Sequence, residues 1–211
     1  MKLSEDLNLL EWSYPSSNIS NPILHNLIED NKHRIEGPTS KYYITYFKEE
    51  PSEVKSLLDW TLNKITTDIV DIPLVCSESW GVIYDDGDYI NAHTHKQGDL
   101  VDCSTPNYFS FVYYVNVPEG SSPLIFPTSG YELYPKSGNM VVFESRLRHE
   151  IPPNGGKNRS VIVGNFIAAE PAGTNIRLLN VAFPASLPSS VSIVISELLS
   201  VPLKIISVSL P

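Results

Sequence analysis

Three of the five histidines in this chain are spaced in a way that could bind a metal ion. His93 and His95 stand two positions apart at the end of a β-favouring run, and His149 follows a second such run. Residues i and i+2 of a β-strand project from the same face, so the first two imidazoles can point in one direction. A third imidazole from a neighbouring strand could meet them there. Ligands on one side of a metal leave the other side open for substrate and O2, as in non-haem iron sites with two histidines and one carboxylate.

Arg159 adds a second chemical possibility. It follows His149 by ten positions and opens the strand-like run Arg159–Phe166. A guanidinium is permanently charged and can form two parallel hydrogen bonds with one carboxylate. Arg159 could therefore bind the far carboxylate of a dicarboxylic co-substrate near a metal, or it could be a surface residue at the end of a strand. Acidic side chains also stand near the histidines in the sequence, at Asp99, Asp102 and Glu150.

The strand-like run Phe109–Val117 carries two adjacent tyrosines. Tyr113 and Tyr114 must point to opposite faces, because side chains alternate along a strand. A phenol can donate a hydrogen bond to a carboxylate while its ring packs against apolar neighbours. We expect one of the two to line a co-substrate pocket. Tyr114 is our candidate, and alternation leaves open which face is the inner one.

The elements that must position these residues change in character along the chain. Residues 1–72 are mainly helical in pattern: Asn21-Pro22 has the features of a helix start, and Gly37 is a suitable end. A second helix is predicted from near Pro51-Ser52, with apolar residues recurring on one face. Between the two, Lys41–Phe47 is aromatic and β-branched and predicts a strand. The apolar residues of the second helix are Val54, Leu57, Leu58 and Ile65.

From about residue 73 to residue 171, short β-favouring runs alternate with clusters of Gly, Pro, Asp and Asn. This pattern is typical of an all-β sandwich or barrel, on which the preceding helices are expected to pack. We therefore predict one domain over residues 1–171 that is mainly β with N-terminal helices. The predicted strands are Ser79–Tyr84, Tyr89–His93, Tyr108–Val117, Pro123–Phe126, Asn139–Phe143 and Ser160–Ile167.

Composition excludes several classes of function. The chain has 15 Lys+Arg and 24 Asp+Glu, and a formal charge of −9 argues against a protein that grips nucleic acid. It lacks the run of ~18 apolar residues that a membrane span needs, and its first residues do not resemble a signal peptide, so we expect a cytoplasmic protein without a membrane partner. Cys76 and Cys103 are expected to be reduced thiols. Residues 172–211, rich in Ser, Leu, Val, Ile and Pro, form a tail of uncertain structure to which we assign no function.

Four blocks in a constant order resemble the Fe(II)/2-oxoglutarate-dependent oxygenases. The resemblance is strongest to the small prolyl-hydroxylase-like group common in phages of marine cyanobacteria and in marine metagenomes. It covers about Trp80 to Ile167, under half of the chain, and rests on several ordered blocks rather than on one motif. The blocks are Tyr89–His95, Phe109–Pro118, Gly138–His149 and Arg159–Phe166.

The resemblance implies a double-stranded β-helix, the jelly roll also found in cupins, that binds one Fe(II) and uses 2-oxoglutarate and O2. His93 matches the first iron ligand, and His149 matches the distal one. Arg159 matches the residue that pairs with the far carboxylate of 2-oxoglutarate. His95 stands where most of the superfamily has Asp or Glu. Either His95 is itself the third ligand, which we favour, or a loop acid such as Asp99 replaces it, or the site has only two protein ligands.

Two further positions differ from the resembling group. Many relatives have Ser or Thr where this chain has Val161, and the adjacent Ser160 should point to the other face of its strand. The loop Lys96–Asn107 is long for the group, begins beside the expected metal and could act as a lid.

The predicted activity is hydroxylation of an unidentified small-molecule or peptide substrate, coupled to decarboxylation of 2-oxoglutarate to succinate. Two alternatives stay open. One is a cupin-like three-His metalloprotein, an isomerase or a dioxygenase, that does not use 2-oxoglutarate. The other is a non-catalytic jelly-roll binding protein. A homo-oligomer is a further possibility, and the host cytoplasm is the expected location if the protein is encoded by a phage.

Overall fold

The computed structural model describes residues 2–4, 9–47, 50–70, 72–95, 107–169, 191–193 and 206–208. Its two helices are α1 (Ser17–Asp30) and α2 (Ser52–Asp68). The strands are β1 (Lys2–Ser4), β2 (Leu9–Ser13), β3 (His33–Glu36), β4 (Ser40–Tyr46), β5 (Leu74–Tyr84), β6 (Tyr89–His93), β7 (Asn107–Asn116), β8 (Leu124–Phe126), β9 (Tyr131–Leu133), β10 (Asn139–Glu144), β11 (His149–Ile151), β12 (Arg159–Ala168), β13 (Val191–Ile193) and β14 (Ile206–Val208).

The chain divides into two compact units, Met1–Glu170 and Pro171–Pro211. In the second unit, the described residues form one antiparallel pair, β13 with β14. The first unit holds all the candidate site residues that the structure describes. Neither helix among the described residues is long and apolar enough to cross a membrane.

Twelve strands of the first unit form one antiparallel sheet that curls into a half-barrel. The order is β1-β2-β10-β7-β12-β5-β4-β6-β11-β8-β9, and β3 pairs with β4 at the side of this path. β4 belongs to both halves of the curl: residues 43–46 pair with β5, and residues 40–41 pair with β6. The larger half consists of β1, β2, β10, β7, β12 and β5, and the smaller half consists of β6, β11, β8 and β9. The two halves therefore face each other across an interior.

The outer face of the larger half is covered by the two helices. Leu24 and Ile28 of α1 are fully buried against it, and the predicted apolar face of α2 is buried as well. α1 can approach β5 closely because position 81 is glycine: a Cβ there would lie 2.6 Å from a side-chain carbon of Ile28. Tyr113 and Phe166, from the central strands β7 and β12, belong to this same core layer.

The inner face of the larger half packs against the smaller half. Its core contains Val82, Tyr114 and Val161 from the central strands, and it meets Leu124 and Ile151 from β8 and β11. Alternation along each strand therefore sends neighbouring residues to two separate core layers, one against the helices and one between the sheet halves. The candidate site residues belong to the second layer.

The start of α1 differs from the sequence prediction. The helix begins at Ser17, one turn before the predicted Asn21-Pro22, contains Pro22, and ends at Asp30 rather than near Gly37. The Asn21 side chain does not cap the helix. Its amide donates to the carbonyl of Val115 at 2.8 Å, and its side-chain oxygen accepts from the hydroxyl of Tyr113, so Asn21 anchors α1 to β7.

The first 72 residues also contain more β-structure than their pattern indicated. The predicted strand at Lys41–Phe47 is present as β4, and α2 begins at Ser52 as predicted. In addition, β1, β2 and β3 extend the larger half of the sheet. These strands have three to five residues, which is too short for alternation to be recognised in the sequence. The chain after α1 turns into β3 because β3 forms a hairpin with β4.

Candidate metal and anion site

The three histidines singled out by their spacing come together between the two halves of the sheet. His93 ends β6, His149 begins β11, and the two are direct partners in the antiparallel pair of these strands. His95 lies two residues beyond β6, where its backbone N–H donates to the carbonyl of Ser145 at 3.0 Å. The ring centres are 4.4 Å apart for His93 and His149, and 5.1 Å from His95 to each of the others. One ring nitrogen from each residue lies within 4.8 Å of the other two, which is a suitable arrangement for one metal ion.

Two of these imidazoles are held in the tautomer that a metal requires. Nδ1 of His93 lies 2.9 Å from the carbonyl oxygen of Asn91, and Nδ1 of His149 lies 2.9 Å from that of Leu147. A carbonyl oxygen can only accept, so Nδ1 carries the proton in both rings. The lone pair is therefore on Nε2, and this backbone hydrogen bond is the usual way in which a protein orients a histidine ligand.

Burial keeps the imidazoles neutral. It is the main reason why the pKa of His149 is lowered to about 3 and that of His95 to about 4, and the neighbouring His93 lowers both further. The pKa of His93 is lowered as well, again chiefly by burial. Neutral imidazole is the form that binds metals. At neutral pH the cluster therefore offers nitrogen ligands without first losing a proton to solvent.

His95 has a different environment from the other two histidines. Its Nδ1 lies 3.3 Å from the side-chain amide nitrogen of Asn165, a fully buried residue of β12. The same nitrogen donates to the carboxylate of Glu78 at 2.7 Å, and the amide oxygen of Asn165 accepts from the hydroxyl of Ser110 at 2.7 Å. The sequence analysis did not single out Asn165, Glu78 or Ser110. Alternation from Arg159 along β12 was the available signal, since it puts Asn165 on the same face as the arginine.

Arg159 is completely buried, in contrast to the surface position that was the alternative for this residue. Its Nε and both terminal nitrogens are shielded from solvent and have no hydrogen-bond partner among the residues that the structure describes. The guanidinium carbon lies 5.2 Å from the ring centre of Tyr84 and 5.7 Å from that of Tyr114. Aromatic faces stabilise a cation modestly, but a buried charge without a partner is strongly unfavourable. A guanidinium in this setting could bind an anion.

The two tyrosines of β7 have different surroundings, and neither is among the residues that line the cavity beside the histidines. Tyr114 is on the inner face, and its buried hydroxyl has no partner within the described part of the chain. Burial raises the pKa of Tyr114 to about 12, against the opposing effect of the nearby Arg159, so the phenol stays a hydrogen-bond donor. Tyr113 is on the outer face, where its hydroxyl donates to Asn21. Tyr114 is thus the tyrosine beside Arg159.

Arg159 and the three histidines line one cavity. The remainder of its wall is mostly apolar and aromatic, with Trp80, Tyr84 and Val161 among the contributing residues. Its volume is about 80 Å³, several times the 10–15 Å³ that one buried water occupies, so the space suits a small molecule. Val161 faces this cavity. Ser160 faces away from it, as the sequence predicted, and its hydroxyl lies 2.9 Å from Nδ1 of His25.

Several predicted features fall outside this description or away from the cluster. The acids Asp99 and Asp102, the thiol expected at Cys103, and all of the predicted lid Lys96–Asn107 except Asn107 lie outside the described residues. Glu150 follows His149 directly and is not part of the histidine cluster. Cys76 is a free thiol, and burial raises its pKa to about 11, which makes it a poor nucleophile.

Comparison with known proteins assigns the fold to a class. No protein-family model matches the chain, and no curated protein matches it by sequence. Solved structures do match, and they include prolyl hydroxylases and a member of the 2OG-Fe(II) oxygenase family. By its fold, the protein has the double-stranded β-helix found in these oxygenases. The predicted jelly-roll core with N-terminal helices is confirmed.

Three of these structures illustrate the extent of the likeness. The viral collagen prolyl hydroxylase of Paramecium bursaria Chlorella virus-1, in complex with 2OG, aligns with a TM-score of 0.63 and 16% identity, over 76% of this chain and 96% of that one. A prolyl-4-hydroxylase of Pseudomonas putida aligns with a TM-score of 0.63 and 17% identity, over 78% of this chain and 94% of that one. HygX of Streptomyces hygroscopicus, with nickel and 2-oxoglutarate bound, aligns with a TM-score of 0.55 and 12% identity, over 79% of this chain and 87% of that one. At these identities the likeness is one of fold.

Proposed function

We propose that this protein is an Fe(II)- and 2-oxoglutarate-dependent dioxygenase that hydroxylates its substrate. The observation that carries the proposal is the buried guanidinium of Arg159, which has no partner among the described residues and lines the same cavity as three neutral histidines. A metal cluster alone does not explain why a positive charge is buried nearby. A dicarboxylate that binds the metal at one end and Arg159 at the other explains both features.

The residues present fit this pair of cofactors. His93 and His149 present Nε2 lone pairs, and His95 completes the group around the point where Fe(II) would bind. Arg159 would hold the far carboxylate of 2-oxoglutarate, and the hydroxyl of Tyr114 would donate to the same carboxylate. When bound together, iron and 2-oxoglutarate supply the O2-dependent chemistry that couples decarboxylation to succinate with hydroxylation. Three of the similar structures hold 2-oxoglutarate, and two of these also hold nickel, which supports the assignment.

The test is anaerobic titration of the protein with Fe(II) and 2-oxoglutarate. We expect the weak visible charge-transfer band of the iron chelate, and succinate formation once O2 is admitted. Arg159→Ala should weaken 2-oxoglutarate binding about 100-fold or more, because it removes hydrogen bonds to a charged group worth roughly 1.5–3 kcal/mol each. The matched control is Arg146→Ala, since Arg146 is exposed and pairs with Glu144. Iron binding without the band in the wild-type protein would contradict the co-substrate assignment.

A cupin-like metalloprotein that does not use 2-oxoglutarate is the second candidate. It is favoured by the absence of a carboxylate from the metal-ligand cluster of the described residues. In that case Arg159→Ala would leave metal binding and activity nearly unchanged. A protein that fails to bind Fe(II) under anaerobic conditions would instead support a non-catalytic binding role.

Proline-containing peptides are the first substrate class to test. The similar structures include a collagen prolyl hydroxylase and a prolyl-4-hydroxylase, and both share the fold over more than nine-tenths of their length. Succinate formation should increase above the uncoupled rate when a peptide of the correct class is supplied. Free amino acids and other small molecules form the comparison set, and oligomeric state is best measured alongside, because a homo-oligomer is part of the proposal.

A further inference from the structure

The two peptide groups that flank Asn158 are each bound by a side chain from a different part of the sheet. The N–H of Asn158 donates to a carboxylate oxygen of Asp85 at 3.0 Å, and its carbonyl accepts from the side-chain amide of Asn116 at 2.8 Å. Asp85 directly follows β5 and Asn116 ends β7, the two strands that pair with β12 on either side. Asn158 directly precedes Arg159, the first residue of β12. The backbone is therefore fixed from both sides immediately before the buried arginine.

The backbone of Asn158 has an uncommon conformation. Its φ is 62°, and within the described part of the chain it is the only residue other than glycine with a positive φ. Left-handed backbone is unfavourable for L residues, although Asn tolerates it better than most. Such a conformation persists where the surrounding structure fixes it, and it is more frequent at functional sites. Rotation of Asn158 to an extended conformation would break both hydrogen bonds and change the direction in which the side chain of Arg159 leaves the backbone.

An irregularity in β7 brings Asn116 to this position. Tyr114 pairs with Val161 of β12, and the next pair joins Asn116 to the preceding residue of β12. Val115 is therefore an extra residue of β7, which makes this a β-bulge. Bulges redirect side chains and are common beside functional sites. Here the bulge allows the ring of Tyr114 to face the guanidinium of Arg159 while Asn116 binds the backbone just before it.

The turn that begins with Asp85 is bonded to the loop before Arg159 at further points. Asn154 of this loop is almost completely buried, and its side-chain amide donates to the carbonyl of Tyr84 at 3.1 Å. Its backbone N–H donates to the carbonyl of Asp88 at 2.8 Å. Tyr84 supplies one of the two aromatic rings beside the guanidinium. The turn after β5 and the loop before β12 thus form one hydrogen-bonded unit that holds Tyr84 as well as the backbone leading to Arg159.

We propose that Asp85 and Asn116 are positioning residues for Arg159, because they hold the left-handed backbone of Asn158 between them and so direct the guanidinium into the cavity. The side chain of Arg159 contacts two aromatic rings and forms no ion pair with the described residues, so its direction depends on the backbone from which it starts. Neither Asp85 nor Asn116 lines the cavity, and both would act on a bound anion only through the arginine. The inference rests on the proposed function for the identity of that anion, 2-oxoglutarate, and not for the position of the guanidinium.

The first test measures the order of the guanidinium without any ligand. The Nε–H signal of Arg159 is assigned in 1H–15N spectra by its loss in Arg159→Lys, and its 15N relaxation gives an order parameter. We expect this order parameter to fall from the rigid range, about 0.85, to below about 0.6 in Asp85→Ala. Asp86→Ala is the matched control, because Asp86 is an exposed neighbour in the same turn and its removal changes the charge equally. An equally ordered Arg159 in Asp85→Ala and wild type would overturn the proposal.

The second test is calorimetric titration of the Ni2+-loaded protein with 2-oxoglutarate. Asp85→Ala and Asn116→Ala should each weaken binding about tenfold, whereas Ni2+ affinity should stay within about twofold of wild type. Loss of a negative charge alone favours an anion, so Asp86→Ala should bind 2-oxoglutarate at least as tightly as wild type. Asp85→Asn keeps an oxygen that can accept from the N–H of Asn158 and should restore binding to within about threefold of wild type.

Substitutions at Asn158 test the role of its backbone conformation. Glycine adopts a positive φ without strain, so Asn158→Gly should keep the affinity for 2-oxoglutarate. Asn158→Val should weaken it about tenfold, because a β-branched residue strongly disfavours this conformation.

A merely structural role of Asp85 and Asn116 would lower the stability of the variants and leave the 2-oxoglutarate affinity of the folded protein unchanged. That result would overturn the proposal, as would an equal loss of Ni2+ affinity. If Asp85→Ala does not fold, Asn116→Ala serves for both measurements, because its hydrogen bond lies at the surface. A wild-type protein that binds no 2-oxoglutarate would contradict the proposed function, whereas the order of the Arg159 guanidinium would still decide the present inference.

Discussion

The two faces of β12 differ in whether the folded chain satisfies their buried polar groups. On the outer face, Ser160 is fully buried and its hydroxyl is paired with His25 of α1. On the inner face, one position away, Arg159 is equally buried but its guanidinium has no partner among the described residues. Adjacent residues of one strand thus differ in whether the folded chain satisfies their polar groups.

The same contrast recurs on β7. The hydroxyl of Tyr113 is bonded to Asn21, whereas the hydroxyl of Tyr114 is buried without a partner in the described part of the chain. Folding normally leaves few buried polar groups unpaired, because each costs roughly 1–3 kcal/mol. These unpaired groups lie on the inner face of the larger half of the sheet, where an anionic ligand could pair with them. The comparison therefore identifies candidate binding residues without reference to any similar protein.

Replacing the buried arginine should produce the largest effect. In Arg159→Met, we expect the free energy of unfolding of the ligand-free protein to rise by about 1–4 kcal/mol, because an unpaired buried charge is replaced by an apolar side chain of similar length. The stabilisation of the wild-type protein by 2-oxoglutarate should disappear in the same variant. Urea unfolding with and without 2-oxoglutarate measures both. A marked loss of stability in the ligand-free variant would show that Arg159 is a structural residue.

Lowering the pH should produce the next largest effect, a loss of stability that arises from the buried histidines of the inner face. The pKa of His149 is about 3 and that of His95 about 4 in the folded chain, against about 6.5 when unfolded, so below pH 6.5 the unfolded chain binds protons that the folded chain does not. The stability of the metal-free protein is therefore complete above pH 6.5 and falls as the pH is lowered towards 4, by up to ~1.4 kcal/mol per pH unit for each histidine. Urea midpoints at several pH values test this. His149→Gln should reduce the slope, and an unchanged slope would argue against burial as the cause.

The adjacent tyrosines offer a matched pair of smaller changes. Tyr113→Phe leaves the side-chain oxygen of Asn21 without its donor and should lower the free energy of unfolding by about 1–2 kcal/mol, with 2-oxoglutarate binding unchanged. Tyr114→Phe removes an unpaired hydroxyl and should leave stability equal or higher, while 2-oxoglutarate binds about 5–10-fold more weakly. Calorimetric titration and urea unfolding of both variants separate the two roles. The reverse assignment of effects would show that the faces have been misidentified.

The smallest effect is expected on the outer face of β12. Ser160→Ala removes the hydrogen bond with His25 and should cost about 1 kcal/mol of stability. Binding of 2-oxoglutarate should not change, since Ser160 does not line the cavity. Measuring stability and 2-oxoglutarate binding of Ser160→Ala and Arg159→Met in parallel compares neighbouring residues on opposite faces of β12. Weaker 2-oxoglutarate binding in Ser160→Ala would contradict the separation of the two faces into structural and binding roles.

Much of the site could be predicted from the sequence because it depends on alternation. The two-residue spacing of His93 and His95 and the position of Arg159 at the start of a strand are local features, whereas the short strand that begins at His149 was not predicted. Burial of Arg159 is not local, since it depends on Tyr84 and Tyr114 from two neighbouring strands. The roles of His93, His95 and His149 as metal ligands, and of Arg159 and Tyr114 as binders of a co-substrate, remain predictions that the experiments above address.

The class of the fold could be predicted from the sequence, whereas its short peripheral strands and the start of α1 were less predictable. Long strands such as β5, β7 and β12 and the apolar face of α2 follow from composition and period. The short strands β1, β2 and β3 depend on pairing with distant partners, and the early start of α1 depends on the anchoring of Asn21 to β7. Asn165 was missed because alternation from Arg159 gives only the face on which it lies, not the polar partners of its amide. Its importance comes only from the carboxylate and the imidazole on either side of it.

The double pairing of β4 has a mechanical consequence. Because its first residues bond to β6 and its later residues bond to β5, the two halves of the sheet are joined covalently and by hydrogen bonds along one side. Tyr42 lies between the two pairing segments and lines the cavity. A separation of the two halves is therefore expected to begin along the opposite margins, where β1 and β9 end the strand order. Amide hydrogen exchange should accordingly be slowest at β4 and fastest at those margins.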